Sequence, residues 1–103
     1  MDSQLKKGLV EMCILRYLSH HPSYGYEILT DISKYTSISE STLYTVLYRL
    51  ERQGSLETYR EEHDGRLRKY YKITHEGLVK LEEFKKENMK MQRLLNYIVG
   101  GKK

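Results

Sequence analysis

Apolar residues recur along this chain with two different periods, and the changes of period divide it into five predicted elements. From Ser3 to His20, Leu5, Leu9, Met12, Cys13, Leu15 and Tyr17 recur at helical spacing, with Val10, Ile14 and Leu18 widening the stripe. That face is broader than packing on one side alone requires. Pro22 disfavours helical geometry in the residue before it and closes the segment at His20–His21. Ser23 then reads as the cap of a second helix, about Tyr24 to Lys34, with Ile28, Leu29 and Ile32 turned inward. A third helix is bracketed by Ser39 as cap and Gly54 as left-handed terminator. Its Leu43, Val46, Leu47 and Leu50 follow the i, i+3, i+4, i+7 rule of a core-facing stripe.

The period then drops to two. Asp64–Gly65 is a strong signal for a two-residue hairpin turn, and it fixes a register that pairs His63 with Arg66. One face sets Glu61 against Arg68, Tyr59 against Tyr70 and Glu57 against Lys72, each pair worth roughly 0.2–1 kcal/mol. The other face sets Leu56 against Ile73 and Thr58 against Tyr71, anchoring the ribbon to the core, and places Arg60 opposite Lys69. Like charges facing each other are unfavourable alone and favourable around a polyanion.

Thr74 caps a last predicted helix from about His75 to Val99, about 36 Å long. Leu81, Phe84, Asn88, Met91, Leu95 and Ile98 step alternately by three and four, an a/d seam. A domain this small cannot bury such a seam, so a second copy is expected against it, helped by Leu5 and Leu9 of the first helix. Packing within one protomer is the alternative. Asn88 sits at an a-type position, where a polar residue sets register and oligomeric state. The organisation expected is therefore a body over residues 1–74, a dimerisation helix over 75–99 and a flexible tail over 100–103.

At 103 residues there is room for one domain. The net charge of +4 is mild, and its placement is more informative than its sum. Residues 1–39 hold four Lys/Arg and four Asp/Glu, residues 40–72 seven and six, and residues 73–103 seven and four. Cys13, the single cysteine, lies in an apolar run; it has no internal disulfide partner and reads as a core residue of a protein in a reducing compartment. No apolar stretch reaches about 20 residues and no signal peptide is evident, so a soluble cytoplasmic protein without a membrane partner is expected. The four histidines are scattered and meet no nucleophile or zinc pattern, which argues against an enzyme and against a metal or other cofactor.

At about 100° per residue, Ser41, Thr45, Tyr48 and Arg52 fall opposite the apolar stripe of the third helix, with Thr42, Tyr44 and Arg49 on its flanks. Ordinary solvated faces are rich in Glu and Lys; this one carries hydroxyls and Arg, donors and acceptors suited to base edges and phosphates. With the basic ribbon after it, the segment predicts a mainly α fold with a small β-hairpin: a winged helix-turn-helix plus a long C-terminal dimerisation helix. Ser39 at the helix start and Arg60 and His63 on the ribbon join the expected contacts to double-stranded DNA.

YGYEI at 24–28, TLYTVLYRLERQG at 42–54 and GRLRKYYKITHEG at 65–77 resemble the PadR family of bacterial transcriptional regulators, in the compact subgroup with one C-terminal helix. The resemblance implies a homodimeric repressor with its third helix in the major groove and its wing on the backbone or adjacent minor groove. Carried over by motif position, Tyr24 and Gly25 approach phosphate, Ser41, Thr42, Tyr44 and Thr45 lie along the groove, and Arg66, Arg68 and Lys69 lie on the wing. Two departures stand out. Arg60 occupies a wing position where the family often has Trp, and no Trp is available to stack a flat ligand at the dimer centre. A hydrophobic small-molecule effector would instead meet Leu9, Cys13, Phe84, Asn88 and Met91. The competing reading is a winged-helix dimer that serves as an interaction or ligand-sensing module without strong DNA binding.

Overall fold

A computed structural model of the chain describes residues 3–100. The elements run α1 (Ser3–Leu18), β1 (Ser23–Tyr24), α2 (Gly25–Ile32), α3 (Glu40–Arg52), β2 (Leu56–His63), β3 (Arg66–Ile73), α4 (His75–Glu87) and α5 (Met89–Ile98). Apart from Gly100, the predicted tail lies outside the described residues.

The core gathers the predicted stripes of three helices. Val10, Ile14, Leu15 and Leu18 of α1 meet Ile28 and Ile32 of α2 and Leu43, Val46, Leu47 and Leu50 of α3, with Leu56, Tyr71 and Leu81 closing the cluster. Each end of α3 is finished by its own sequence. The Ser39 hydroxyl accepts the Thr42 backbone N–H at 3.1 Å. Gly54 adopts φ +82°, and the N–H groups of Gly54 and Ser55 return to the Glu51 and Leu50 carbonyls at 3.0 and 2.9 Å. That is a Schellman ending, available because glycine enters the left-handed region without penalty.

The antiparallel sheet has the order β1-β3-β2. The β2–β3 register is the one the two-residue turn demands, from Leu56↔Ile73 out to His63↔Arg66. Asp64 and Gly65 both hold positive φ, 53° and 76°, as a type I′ turn requires. The third strand differs from the sequence expectation. Ser23 does not cap a helix: it is fully buried, pairs with Tyr71 in β1, and donates its hydroxyl to the Glu27 carboxylate at 2.6 Å. Tyr24 is the cap residue of α2 and provides no side-chain bond. A two-residue strand is too short to show a period, and its partner lies far along the chain.

Thr74 fastens α4 to the end of α3. Its hydroxyl accepts from Gly77 N–H at 3.1 Å and donates to the Gly54 carbonyl at 2.6 Å, while its N–H bonds the Ser55 carbonyl at 3.0 Å. Gly77 sits so close to that carbonyl and to Ile73 that a Cβ would overlap both. The predicted continuous last helix is interrupted at Asn88, which leaves helical geometry at φ −106° and ψ 7°. Its amide and its backbone N–H both bond the Phe84 carbonyl, at 2.9 and 3.1 Å. Side-chain competition of this kind is what makes Asn a poor helix-interior residue. Leu81, expected in the intermolecular seam, is instead 4% exposed within the protomer's own core.

Beyond Asn88, α5 buries none of its residues. The radius of gyration is 15.1 Å, against about 13 Å for a compact chain of this size. The molecule measures 49 × 26 × 24 Å, long because this helix stands away from the body.

Candidate nucleic-acid interface

Ser41, Thr45, Tyr48 and Arg52 all lie exposed on the outer face of α3, as helical spacing requires. The Thr45 hydroxyl donates to the Ser41 carbonyl at 3.0 Å, which leaves its lone pairs facing out as acceptors. Arg52 bonds the Tyr48 hydroxyl at 3.0 Å, so the two present one unit. Ser39, Ser41 and Thr42 form a hydroxyl cluster at the start of the helix, with Ser39 Oγ 3.3 Å from Ser41 Oγ and 2.9 Å from Thr42 Oγ1. Arg60 and Arg66 are exposed on the hairpin.

Six expected contacts are engaged inside the protomer. Arg49 turns away from the outer face to Glu11 of α1, with Nε and Nη2 2.9 and 2.7 Å from Oε2. The other Glu11 oxygen lies 3.5 Å from Lys80 of α4, so one buried carboxylate joins three helices. Lys69 lies 3.6 Å from the Glu51 carboxylate, which relieves its repulsion from Arg60 without any outside anion. Gly25 is close to a neighbour, but that neighbour is Tyr44 of this chain; a Cβ on Gly25 would overlap the phenol. Tyr24 is half-buried in an aromatic group, 5.5 Å from Tyr70 and 5.4 Å from His63 between ring centroids, with Tyr59 stacked on Tyr70 at 5.5 Å. Arg68 lies 4.5 Å above the Tyr24 ring and reaches the His63 carbonyl at 3.5 Å. Tyr24, His63 and Arg68 thus brace the hairpin against the start of α2.

Where α2, α3 and β3 converge, Tyr24, Gly25, Tyr26, Tyr44, Arg66, Leu67, Arg68, Lys69 and Tyr71 line a groove of about 230 Å³. Burial raises the Tyr71 phenol pKa, Tyr44 and Glu51 raise it further and Arg60 opposes them, so it stays neutral at physiological pH. Sequence reasoning missed Tyr26, Leu67 and Glu11. The signal for Glu11 was a lone acid within the apolar run LVEMCIL.

The residues expected around an effector do not all meet. Cys13, Leu9 and Phe84 share a hollow of about 320 Å³ with Lys6, Val10, Met12, Tyr35 and Thr36. Asn88 and Met91 do not line it. Cys13 is only partly buried; burial and the nearby Asp31 charge raise its thiol pKa above the ordinary value. Among the described residues, no helix is long and apolar enough to cross a membrane, and no group of His, Cys, Asp and Glu could hold a metal ion.

A helix-turn-helix whose second helix carries a polar outer face, followed at once by a basic two-stranded ribbon, is a winged helix-turn-helix, a fold of DNA-binding proteins. Residues 14–83 match the Transcriptional regulator PadR-like family, and the chain belongs to it. The crystal structure of a PadR-like transcriptional regulator from Bacillus cereus superposes with a TM-score of 0.83 at 37% identity, covering 97% of this chain and 100% of that one. A Streptococcus mutans protein of known structure is 42% identical with a TM-score of 0.81, covering 92% of this chain and 91% of its own. A Lysinibacillus sphaericus protein is 36% identical over 96% of this chain and 95% of its own length. The chain is therefore a transcriptional regulator of the PadR family.

Proposed function

We propose that this regulator is a cytoplasmic homodimeric repressor that occupies an inverted-repeat operator. The observation that carries this reading is the exposed, hydroxyl-bearing outer face of α3 followed at once by a hairpin that leaves Arg60 and Arg66 exposed. Ser41, Thr45 and Tyr48 are the base-reading candidates: the hydroxyls of Ser41 and Tyr48 can donate or accept at groove edges, while that of Thr45, whose proton goes to the Ser41 carbonyl, accepts. Arg52, Arg60 and Arg66 are the phosphate candidates, with Arg68 held ready by the Tyr24 ring. Arg49 and Lys69 do not contact the duplex in this reading, since each already serves an internal carboxylate.

The dimer rests on α5. Met91, Leu94, Leu95 and Ile98 are 54, 54, 51 and 64% exposed, an apolar surface that the described residues leave uncovered. A second copy of the same helix supplies a matching surface. Two α3 helices related by a two-fold axis then face half-sites about 34–36 Å apart. An effector, where one exists, would enter the hollow beside Cys13 and Phe84 and must bind the DNA-competent and incompetent states unequally.

Selection of bound sites from random duplexes, with solution mass measured on the same preparation, tests the reading. A palindromic consensus and a mass of two chains are expected. A monomer at micromolar concentration, or selected duplexes without a common sequence, would overturn it. The internal pairing of Arg49 and Lys69 favours one competing reading, a dimeric interaction module. Weak retention on bulk DNA at low salt would point there.

A further inference from the structure

We propose that Leu67 reads the minor groove, sensing by its bulk whether a guanine amino group lies beneath the wing. The inference rests on the reading that α3 and the wing engage one duplex, and it adds a role that hydrogen-bond reasoning passes over.

Leu67 is 69% exposed near the tip of the hairpin. Between Arg60 and Lys69 it is the sole apolar side chain; the others are charged, apart from His63 and Gly65. Single exposed leucines are ordinary on protein surfaces, so exposure alone carries nothing. Placement carries more. The register sets Leu67 opposite Glu62 and, by alternation, on the same face as Lys69 and Tyr71. Tyr71 is buried in the core that α3 packs on, so this face looks toward the α3 side of the molecule. Leu67 also lines the groove shared with Tyr26 and Tyr44, at the starts of α2 and α3. Its neighbours Arg66 and Arg68 alternate to the opposite face. The exposed arginine that shares the Leu67 face is Arg60, opposite Lys69, on a ribbon kept narrow by a two-residue turn.

The minor groove is about 6 Å wide, and its floor shows only acceptors at A·T and T·A pairs, while G·C adds the guanine amino donor. A leucine packed against that floor finds room over A·T. Over G·C it meets the amino group, fills its space and offers it no acceptor, leaving a donor unsatisfied. Narrow A·T-rich grooves also hold the stronger negative potential that draws arginine. Leu67 and Arg60, which shares its face, therefore favour the same sequence by different physics.

The test takes an operator selected by the wild-type protein and varies the pairs flanking each major-groove half-site. Each position carries A·T, G·C or I·C; inosine lacks the amino group but keeps the major-groove edge of guanine. Equilibrium anisotropy titrations are expected to show about a tenfold loss on G·C, within the usual cost of one unfavourable pair, and recovery on I·C. Leu67→Ala should reduce the difference between G·C and I·C to less than about twofold, and Leu67→Asn, whose amide oxygen can accept from the amino group, should erase or reverse it. The position is exposed, and a thermal melt confirms that both variants fold. Equal affinity of the wild type for G·C and I·C, or undiminished discrimination by Leu67→Ala, overturns the inference. So does a loss on exchanging thymine for uracil that depends on Leu67 without any inosine effect, since that places the side chain on a major-groove methyl. A selection that yields no preferred sequence removes the regulator reading itself, and this inference with it.

Discussion

Gly25 and Gly77 are both tight, and substituting them should have different consequences. At Gly25 the obstacle is the Tyr44 phenol, a side chain that can swing aside. Gly25→Ala is expected to fold and to lose DNA affinity severalfold, because Tyr44 leaves its place beside the wing groove. At Gly77 the obstacle is the Ser55 carbonyl, which cannot move without opening the junction of α3 and α4. Gly77→Ala should lower stability by about 1–3 kcal/mol, read by chemical denaturation. Arg49→Ala should cost about 2 kcal/mol, since it removes charged hydrogen bonds from the buried Glu11 and leaves only Lys80 at 3.5 Å. Cys13 titrates with its neutral form favoured in the folded protein. Its stabilising effect is complete below the ordinary thiol value of 9.0 and is lost as pH rises through the raised folded value. Alkylation by iodoacetamide at pH 7 should accordingly run slower than for an exposed thiol, and accelerate on denaturation.

Elements whose rules are local were the legible ones. Ser39 and Gly54 could be assigned as the two ends of α3 because a cap bond spans three residues and a left-handed terminator one. The hairpin register followed from Asp64–Gly65 for the same reason: a two-residue loop leaves one pairing, and it is the pairing found. What pairs across distance was not legible. The strand role of Ser23 is hidden in the local sequence because its partner is Tyr71. Arg49 and Lys69 read as outward-facing because helical and strand geometry give direction, while Glu11 and Glu51, which draw them in, belong to other elements. Two measurements belong at this scale. Ser39→Ala should destabilise the fold by about 1 kcal/mol through its vacated cap. Arg68→Ala should weaken binding to all duplexes alike and lower the slope of log affinity against log salt by about one; an unchanged slope would remove this arginine from the phosphate contacts.

For the molecule as a whole, the division between body and arm dominates. The body, closed by Leu81 and the Thr74 junction, holds the entire buried core, while α5 adds length without burial. The a/d count across residues 81–98 pointed to an intermolecular seam but ran through Leu81, which belongs to the body, and through Asn88, where the helix breaks. Periodicity registers facing positions, and it cannot tell a partner in the same chain from one in another. Leu95→Glu with Ile98→Glu should therefore leave the melting of the body nearly unchanged while yielding single chains in sedimentation. Operator affinity should fall by about 10²–10⁴, the advantage that linking two binding heads confers.

A helix that contributes nothing to its own body's core is released from the constraints that keep core residues fixed. Substitutions on the outer arm can accumulate at little folding cost, so mating preference is able to drift while the body stays intact. If copies pair through α5 as proposed, two regulators sharing this body within one cell could thereby avoid forming mixed pairs, each keeping to its own kind through ten residues that lie outside the body's core.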